Sequence, residues 1–321
     1  MTDGRPIEGV YLSGAFDLEA LFGRYFAAHS DSVRLRRPEE IERPEEVRFA
    51  LAWLPAADAF RPYPNLRLAA SIAAGVDSIV HCPSLPEEAV VTRVRDENQG
   101  DLMAGFAAWQ VIWHHRNMRF HIDHQARGEW TRRSVDEYIP PRDFPVGLLG
   151  YGLMGKAIAR AVTAMGFPVT AAVRTAPPEQ ANGVTFEAGE GAIVKTAARS
   201  RILINVLPLT QATHGILNAR LFSAMPKGAA LVQLGRGEHL VEEDLNHALA
   251  SGQLAGASLD VFSREPLPPD HPWWRDPRIL VTPHQASDCS PVLVAAQVCR
   301  AALDVVAGMR PETAVHRANG Y

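Results

Sequence analysis

Near its C-terminus the chain reads Ile279-Leu280-Val281-Thr282-Pro283-His284: an apolar run, a stop, then a titratable ring. Two other stretches share this form. ALVQLGRGEHL (230–240) follows an apolar run with Arg236 between Gly235 and Gly237, and ASLDVFSREPLP (257–268) supplies Asp260 and then Glu265 before Pro266. Taken singly, each has a plain alternative: a loop cation, a turn residue, half of a surface pair, a solvated histidine. Taken together they suit one chemistry. A 2-oxo acid needs a cation for its carboxylate, an acid for its carbonyl oxygen and a hydride donor for its carbonyl carbon. Arg236 would supply the first through its planar fork. His284 would supply the proton, with Glu265 holding the other ring nitrogen and favouring the charged form. The hydride must come from a cofactor.

A place for that cofactor is legible in VGLLGYGLMGKAIARAVTAMGF (146–167). Val146, Leu148 and Leu149 read as a buried strand. GYGLMG follows, with Gly150, Gly152 and Gly155 around Leu153 and Met154, and then a helix with Ile158, Ala161, Val162 and Met165 on one face. The first glycine permits a tight turn, the second lets backbone approach a pyrophosphate, and the third lets helix and strand pack closely. The helix N-terminus turns unpaired N–H groups toward the phosphates. A glycine-rich turn chosen only for packing is the alternative. The next strand, PVTAAVRTA (168–176), ends at Arg174 with no acid before Glu179. An acid there would bind a ribose 2′-hydroxyl, whereas an arginine suits a 2′-phosphate. NADPH is therefore expected as the preferred cofactor, with NADH usable.

These residues need elements to carry them. The 321-residue length favours two domains. Short strands alternate with helical stretches over the first hundred residues: GVYLSG (9–14) and VRFALAWLP (47–55) as strands, LEALFGRYFAA (18–28) as a helix, and a buried run before AAGVD within 66–80. GDLMAGFAAWQVIWHHRNM (100–118) is expected as one long helix between domains, with apolar surface to spare for a partner subunit. PPRDFP (140–145) marks a loop, and PVLVAAQVCRAALDVVAGM (291–309) a final helix that packs back on the first domain. The predicted boundaries are 1–99 for the first part of a substrate domain, 100–287 for a dinucleotide-binding domain, and 288–321 for the returning helix.

Composition narrows the function. Net charge is −4, from 32 basic and 36 acidic residues without single-sign blocks, which predicts no nucleic-acid partner. No apolar run approaches the roughly 18 residues of a membrane span, and the N-terminus shows no apolar leader. Three cysteines without CxxC spacing fit free thiols and a cytoplasmic location. His114, His115, His121 and His124 form no HExxH motif and read as a solvated helix end, so no metal is expected. The absence of GxSxG argues against a hydrolase.

The set GYGLMG, NVLPLTQATHGILN (205–218), LGRGEHLVEEDL (234–245), GASLDVFSREPLP (256–268), TPH (282–284) and the terminal Asn319-Gly320-Tyr321 resembles the D-isomer-specific 2-hydroxyacid dehydrogenase family, and within it the A-type glyoxylate/hydroxypyruvate reductases. The likeness is strong over 146–287 and more diffuse before it. It implies an α/β fold in which a Rossmann-type doubly wound parallel sheet is inserted into a smaller flavodoxin-like α/β substrate domain. It implies Arg236, Glu265 and His284 as the catalytic trio. Asp260 would meet the nicotinamide carboxamide, and Leu207, Pro208 and Thr213 would lie along the cofactor. Backbone amides of Gly75 and Val76 would bind the substrate carboxylate, with Trp53 bordering the substrate. It further implies NADPH preference and a homodimer built through the cofactor domains. The chain departs from the family pattern at Gln233, where Asn is usual, at Gln285 after the histidine, and at Met103-Ala104-Gly105-Phe106 in the long helix. A bulkier or phosphorylated substrate, or a non-catalytic dinucleotide-sensing module, stays open at this point.

Overall fold

Valine, isoleucine, leucine and alanine fill short runs that a parallel sheet buries on both faces, and helices follow wherever the apolar period lengthens. The computed structural model describes residues 5–176 and 181–317; Glu179 and Asn319-Gly320-Tyr321 lie outside them. The chain divides into two units, one of Met1–Asn98 with Asp288–Tyr321 and one of Gln99–Ser287.

In the first unit, β1 (Ile7–Ser13), β2 (Val33–Arg36), β3 (Phe49–Trp53), β4 (Leu68–Ser71) and β5 (Val90–Thr92) form a parallel sheet in the order β2-β1-β3-β4-β5. That is the flavodoxin-like strand order. Alternation along β1 sends Ile7 and Tyr11 to one face and Val10 and Leu12 to the other. The first face is covered by α1 (Leu18–Ala27) and by α9 (Pro291–Val306), whose Val294, Val298, Ala301, Ala302 and Val305 complete the same apolar cluster as Phe22, Phe26, Phe49 and Leu68. Asp17 caps α1, its carboxylate accepting from Ala20 N–H at 3.0 Å. The four-residue α2 (Asp77–Val80) lies on the other side, with Ile79 buried among Phe60, Tyr63 and Leu66.

The second unit is built on seven parallel strands: β6 (Val146–Leu149), β7 (Val169–Val173), β8 (Val184–Ala188), β9 (Ile202–Asn205), β10 (Ala229–Gln233), β11 (Leu254–Leu259) and β12 (Ile279–Val281). Their order is β12-β11-β10-β9-β6-β7-β8, so the chain winds outward from β6 in one direction and then from β9 in the other. This is the doubly wound Rossmann arrangement, with its switch point between β6 and β9. On one face lie α3 (Glu97–His115) and α5 (Leu153–Ala164), packing Ala107, Val111, Ile158 and Val162 against Leu148, Ile204 and Val232. On the other lie α6 (Ala192–Ala198), α7 (Ala219–Ala224) and α8 (Glu242–Ala250), around Leu203, Leu231 and Leu259.

Two expectations need correction. The helix expected as one piece over 100–118 ends at His115; Asn117 takes the left-handed conformation (φ 48°), and a second helix, α4 (Met118–Ala126), starts from it. Asparagine tolerates that conformation better than most residues, and the turn redirects the chain. Nor are His114 and His115 a solvated helix end. His114 Nε2 meets Ser258 Oγ of β11 at 2.8 Å and desolvation pulls its pKa down to about 4. His115 Nε2 lies 2.7 Å from the Ile139 carbonyl, and burial lowers its pKa too.

Candidate active site

Parallel pairing brings the chemical residues of the second unit to one rim. Gln233 pairs with Leu259, and Leu259 with Val281, so the three strands end level with one another. Asp260 follows β11 directly, Arg236 comes three residues after β10, and His284 three residues after β12.

His284 adopts φ 53°, a left-handed conformation uncommon for a residue with a side chain. The surrounding loop imposes it. His284 N–H donates to the Asp260 carbonyl at 2.8 Å, and the buried Asp260 carboxylate accepts from Thr282 Oγ1 at 2.6 Å, Gln285 N at 3.0 Å and Ala286 N at 2.9 Å. Those bonds take three of the roughly four acceptor positions a carboxylate offers. Asp260 thus folds the histidine loop.

The ring is fixed from its other side. His284 Nδ1 lies 2.8 Å from Glu265 Oε2, while Glu265 Oε1 accepts from Phe262 N–H at 3.0 Å. Burial pushes the Glu265 carboxyl up, but the His284 hydrogen bond, the Phe262 amide and the charges of His284 and Arg236 outweigh this and leave it below its usual value. Glu265 is therefore an anion that orients His284, and Nε2 is the nitrogen left to exchange a proton.

Arg236 stands in extended backbone (φ −140°, ψ 147°) and its Nη1 donates to the Gly235 carbonyl at 2.8 Å. Both flanking glycines are required by close approach. A Cβ on Gly235 would lie 2.8 Å from His239 Nδ1, and one on Gly237 would lie 1.9 Å from the Phe262 carbonyl carbon. Beneath the turn sit three fully buried polar side chains, Asn205, Gln233 and His239. Gln233 Nε2 donates to the Arg236 carbonyl at 2.7 Å, and Arg236 N–H lies 3.0 Å from His239 Nδ1. The sequence pointed to Arg236 but not to this support. Its one trace was Gln233 in place of the usual asparagine.

The glycine loop meets β9 at the switch point. Gly150 has φ 101°, and a Cβ on it would lie 3.0 Å from the Val206 carbonyl oxygen. A Cβ on Gly155 would sit 2.1 Å from the Gly150 carbonyl oxygen, while Gly152 faces open space. No side chain caps the N-terminus of α5 at Gly152, and Leu153 there is exposed beside the partly buried Met154. Uncapped N–H groups, an open approach and tight packing behind it fit a pyrophosphate. Arg174 is exposed immediately past β7, the strand beside β6. Leu207 and Pro208 follow β9 and are partly buried; Thr213 Oγ1 donates to the Pro208 carbonyl at 2.7 Å and so holds that loop against itself.

The remaining expected residues belong to the first unit. Trp53 is the last residue of β3, partly buried. Gly75 and Val76 lead into α2, and their loop folds around buried Ser71, whose Oγ donates to the Gly75 carbonyl at 2.6 Å and accepts from Ala73 N–H at 3.1 Å.

Comparison with known proteins identifies the family. The sequence model of the D-isomer specific 2-hydroxyacid dehydrogenase NAD binding domain matches residues 108–286. Glyoxylate/hydroxypyruvate reductase A of Serratia proteamaculans (strain 568) is 36% identical over 294 residues, 90% of this chain and 91% of that protein. A D-isomer specific 2-hydroxyacid dehydrogenase of Xanthobacter autotrophicus Py2, solved with NADPH and MES, superposes with TM-score 0.88 at 33% identity over 98% of this chain and all of that one. The NADPH-dependent glyoxylate/hydroxypyruvate reductase of Sinorhizobium meliloti, solved with NADP and sulfate, gives TM-score 0.88 at 30% identity over 98% and 99% of the two chains. The chain belongs to the D-isomer specific 2-hydroxyacid dehydrogenase family.

Proposed function

We propose that this protein reduces a small 2-oxo acid, glyoxylate or hydroxypyruvate, to the 2-hydroxy acid with NADPH. The observation that carries this reading is the His284–Glu265 pair at 2.8 Å on the same strand-end rim as Arg236. Two relatives named glyoxylate/hydroxypyruvate reductase, and two solved with NADPH or NADP, support it. In this reading the loop from Gly150 to Gly155 holds the pyrophosphate, Arg174 the 2′-phosphate, and Leu207, Pro208 and Thr213 flank the cofactor. NADPH, when bound, supplies the hydride. Arg236 binds the substrate carboxylate and fixes its orientation. His284, held through Nδ1 by Glu265, delivers the proton on Nε2 to the carbonyl oxygen. Asp260 keeps the histidine loop in place and meets the carboxamide. By the same reading Gly75 and Val76 present backbone amides to the carboxylate, and Trp53 borders the substrate.

A homodimer formed through the cofactor-binding unit belongs to the same proposal. It is supported by large apolar side chains standing exposed on consecutive elements there, Leu102 and Trp109 on α3 and Ile122 on α4. Free thiols at Cys82, Cys289 and Cys299 support a cytoplasmic setting.

The decisive assay is NADPH consumption by absorbance with glyoxylate and with hydroxypyruvate, run beside NADH. Rapid turnover with NADPH is expected. Turnover confined to NADH would remove the role given to Arg174. Turnover only on bulkier 2-oxo acids would change the substrate, and cofactor binding with no turnover on any would leave a sensing module.

A further inference from the structure

We propose that His239, buried and outside the reacting groups, is a positioning residue that clasps the Arg236 backbone through a single neutral tautomer. The proposal rests on the reading of Arg236 as the carboxylate-binding cation. A backbone amide can only donate, so the 3.0 Å contact from Arg236 N–H makes His239 Nδ1 an acceptor. Asn205 Nδ2 approaches the same nitrogen at 3.1 Å. The ring proton must then sit on Nε2, which faces the Pro208 carbonyl at 3.3 Å. The other side of the clasp is Gln233, whose Oε1 accepts from Asn205 Nδ2 at 2.7 Å while its Nε2 donates to the Arg236 carbonyl at 2.7 Å. Both backbone polar groups of Arg236 are therefore held by buried side chains, and the same imidazole ties the end of β10 to the segment following β9.

This arrangement explains two features of the sequence. Gly235 is glycine because a Cβ would lie 2.8 Å from His239 Nδ1 and 2.9 Å from Asn205 Nδ2. Glutamine at 233 gains the reach to the Arg236 carbonyl, three residues further on. A guanidinium that must meet a planar carboxylate with two parallel bonds depends on its backbone being fixed.

The test compares His239→Asn with His239→Gln. Asparagine can place an oxygen where Nδ1 was and keep an acceptor for Arg236 N–H. Glutamine reaches the Nε2 position, keeps the Pro208 contact and leaves the Arg236 amide unpaired. The expected result is a glyoxylate KM raised about tenfold or more in His239→Gln, against about threefold or less in His239→Asn, since the first leaves a buried donor unsatisfied. NADPH affinity, read from cofactor fluorescence, should change less than the glyoxylate KM in His239→Gln. An unchanged KM in His239→Gln, or equal losses in the two variants, would overturn the proposal. Should either variant fail to fold by circular dichroism, ¹⁵N NMR of the wild-type imidazole decides: a protonated Nε2 and bare Nδ1 at neutral pH support the clasp, and a protonated Nδ1 refutes it. If wild-type protein turns over no 2-oxo acid, the functional reading fails, while the NMR measurement still judges the clasp.

Discussion

At the scale of residues, the proposed reaction divides its labour between a ring, His284, that would move a proton and groups, Glu265 and Asp260, that would only hold it. Replacing His284 by alanine should lower kcat by about 10²- to 10⁴-fold, the contribution of a positioned general acid. The thermal midpoint should change little, because the ring is about a third exposed. Stopped-flow or steady-state NADPH oxidation checks this, and wild-type-like turnover would remove His284 as the proton donor. Arg236, Glu265 and His284 stood out in the sequence because a 2-oxo acid calls for a cation, an acid and an orienting anion, and the structure brings Glu265 to His284 on the rim that also carries Arg236. The commitment of Asp260 to Thr282, Gln285 and Ala286 was not legible. Those partners come beside it only when β11 and β12 pair, and nothing in linear spacing announces that register.

At the scale of elements, the glycine loop and α3 make separate demands. Gly155→Ala would drive a methyl to 2.1 Å from the Gly150 carbonyl oxygen, so α5 must retreat from β6. We expect a loss of about 1–3 kcal/mol in urea unfolding, as for overpacking elsewhere, together with weaker NADPH binding by fluorescence titration. Full retention of both would show that the helix can shift freely. For α3, His114 is the sensitive point. Its pKa is pulled from 6.5 in the open chain to about 4 by desolvation, so the unfolded chain binds the proton first. Stability is then highest above about pH 6.5 and falls as the pH drops toward 4. His114→Phe should flatten that decline in thermal midpoint between neutral pH and about pH 5. Parallel curves for variant and wild type would exclude His114 as a source of acid sensitivity. The helix itself was readable from apolar spacing, but its link to Ser258, 144 residues away, was not.

At the scale of the whole molecule, strand–helix alternation foretold an α/β fold and the family resemblance implied its two sheets, while the winding orders β2-β1-β3-β4-β5 and β12-β11-β10-β9-β6-β7-β8 are seen in the pairing. The dimer proposed above makes a direct prediction. Leu102→Glu with Trp109→Glu places two charges among apolar side chains that are 56% and 43% exposed, and sedimentation should report a monomer where the wild type is a dimer. A wild-type protein that already sediments as a monomer would dispose of the interface.

The return of α9 to the first sheet has a consequence for how the molecule is made. Seven residues of that helix belong to the cluster around Phe22, Phe26 and Phe49, yet they are translated some 240 residues or more after Phe49. During synthesis the leading unit therefore waits with one face only partly covered, by α1, while Gln99–Ser287 has every strand of its own sheet before α9 exists. Domains generally mature as units on the ribosome, the earlier ones first. Here the order is inverted: the middle of the chain can settle first, and the beginning is finished by the end.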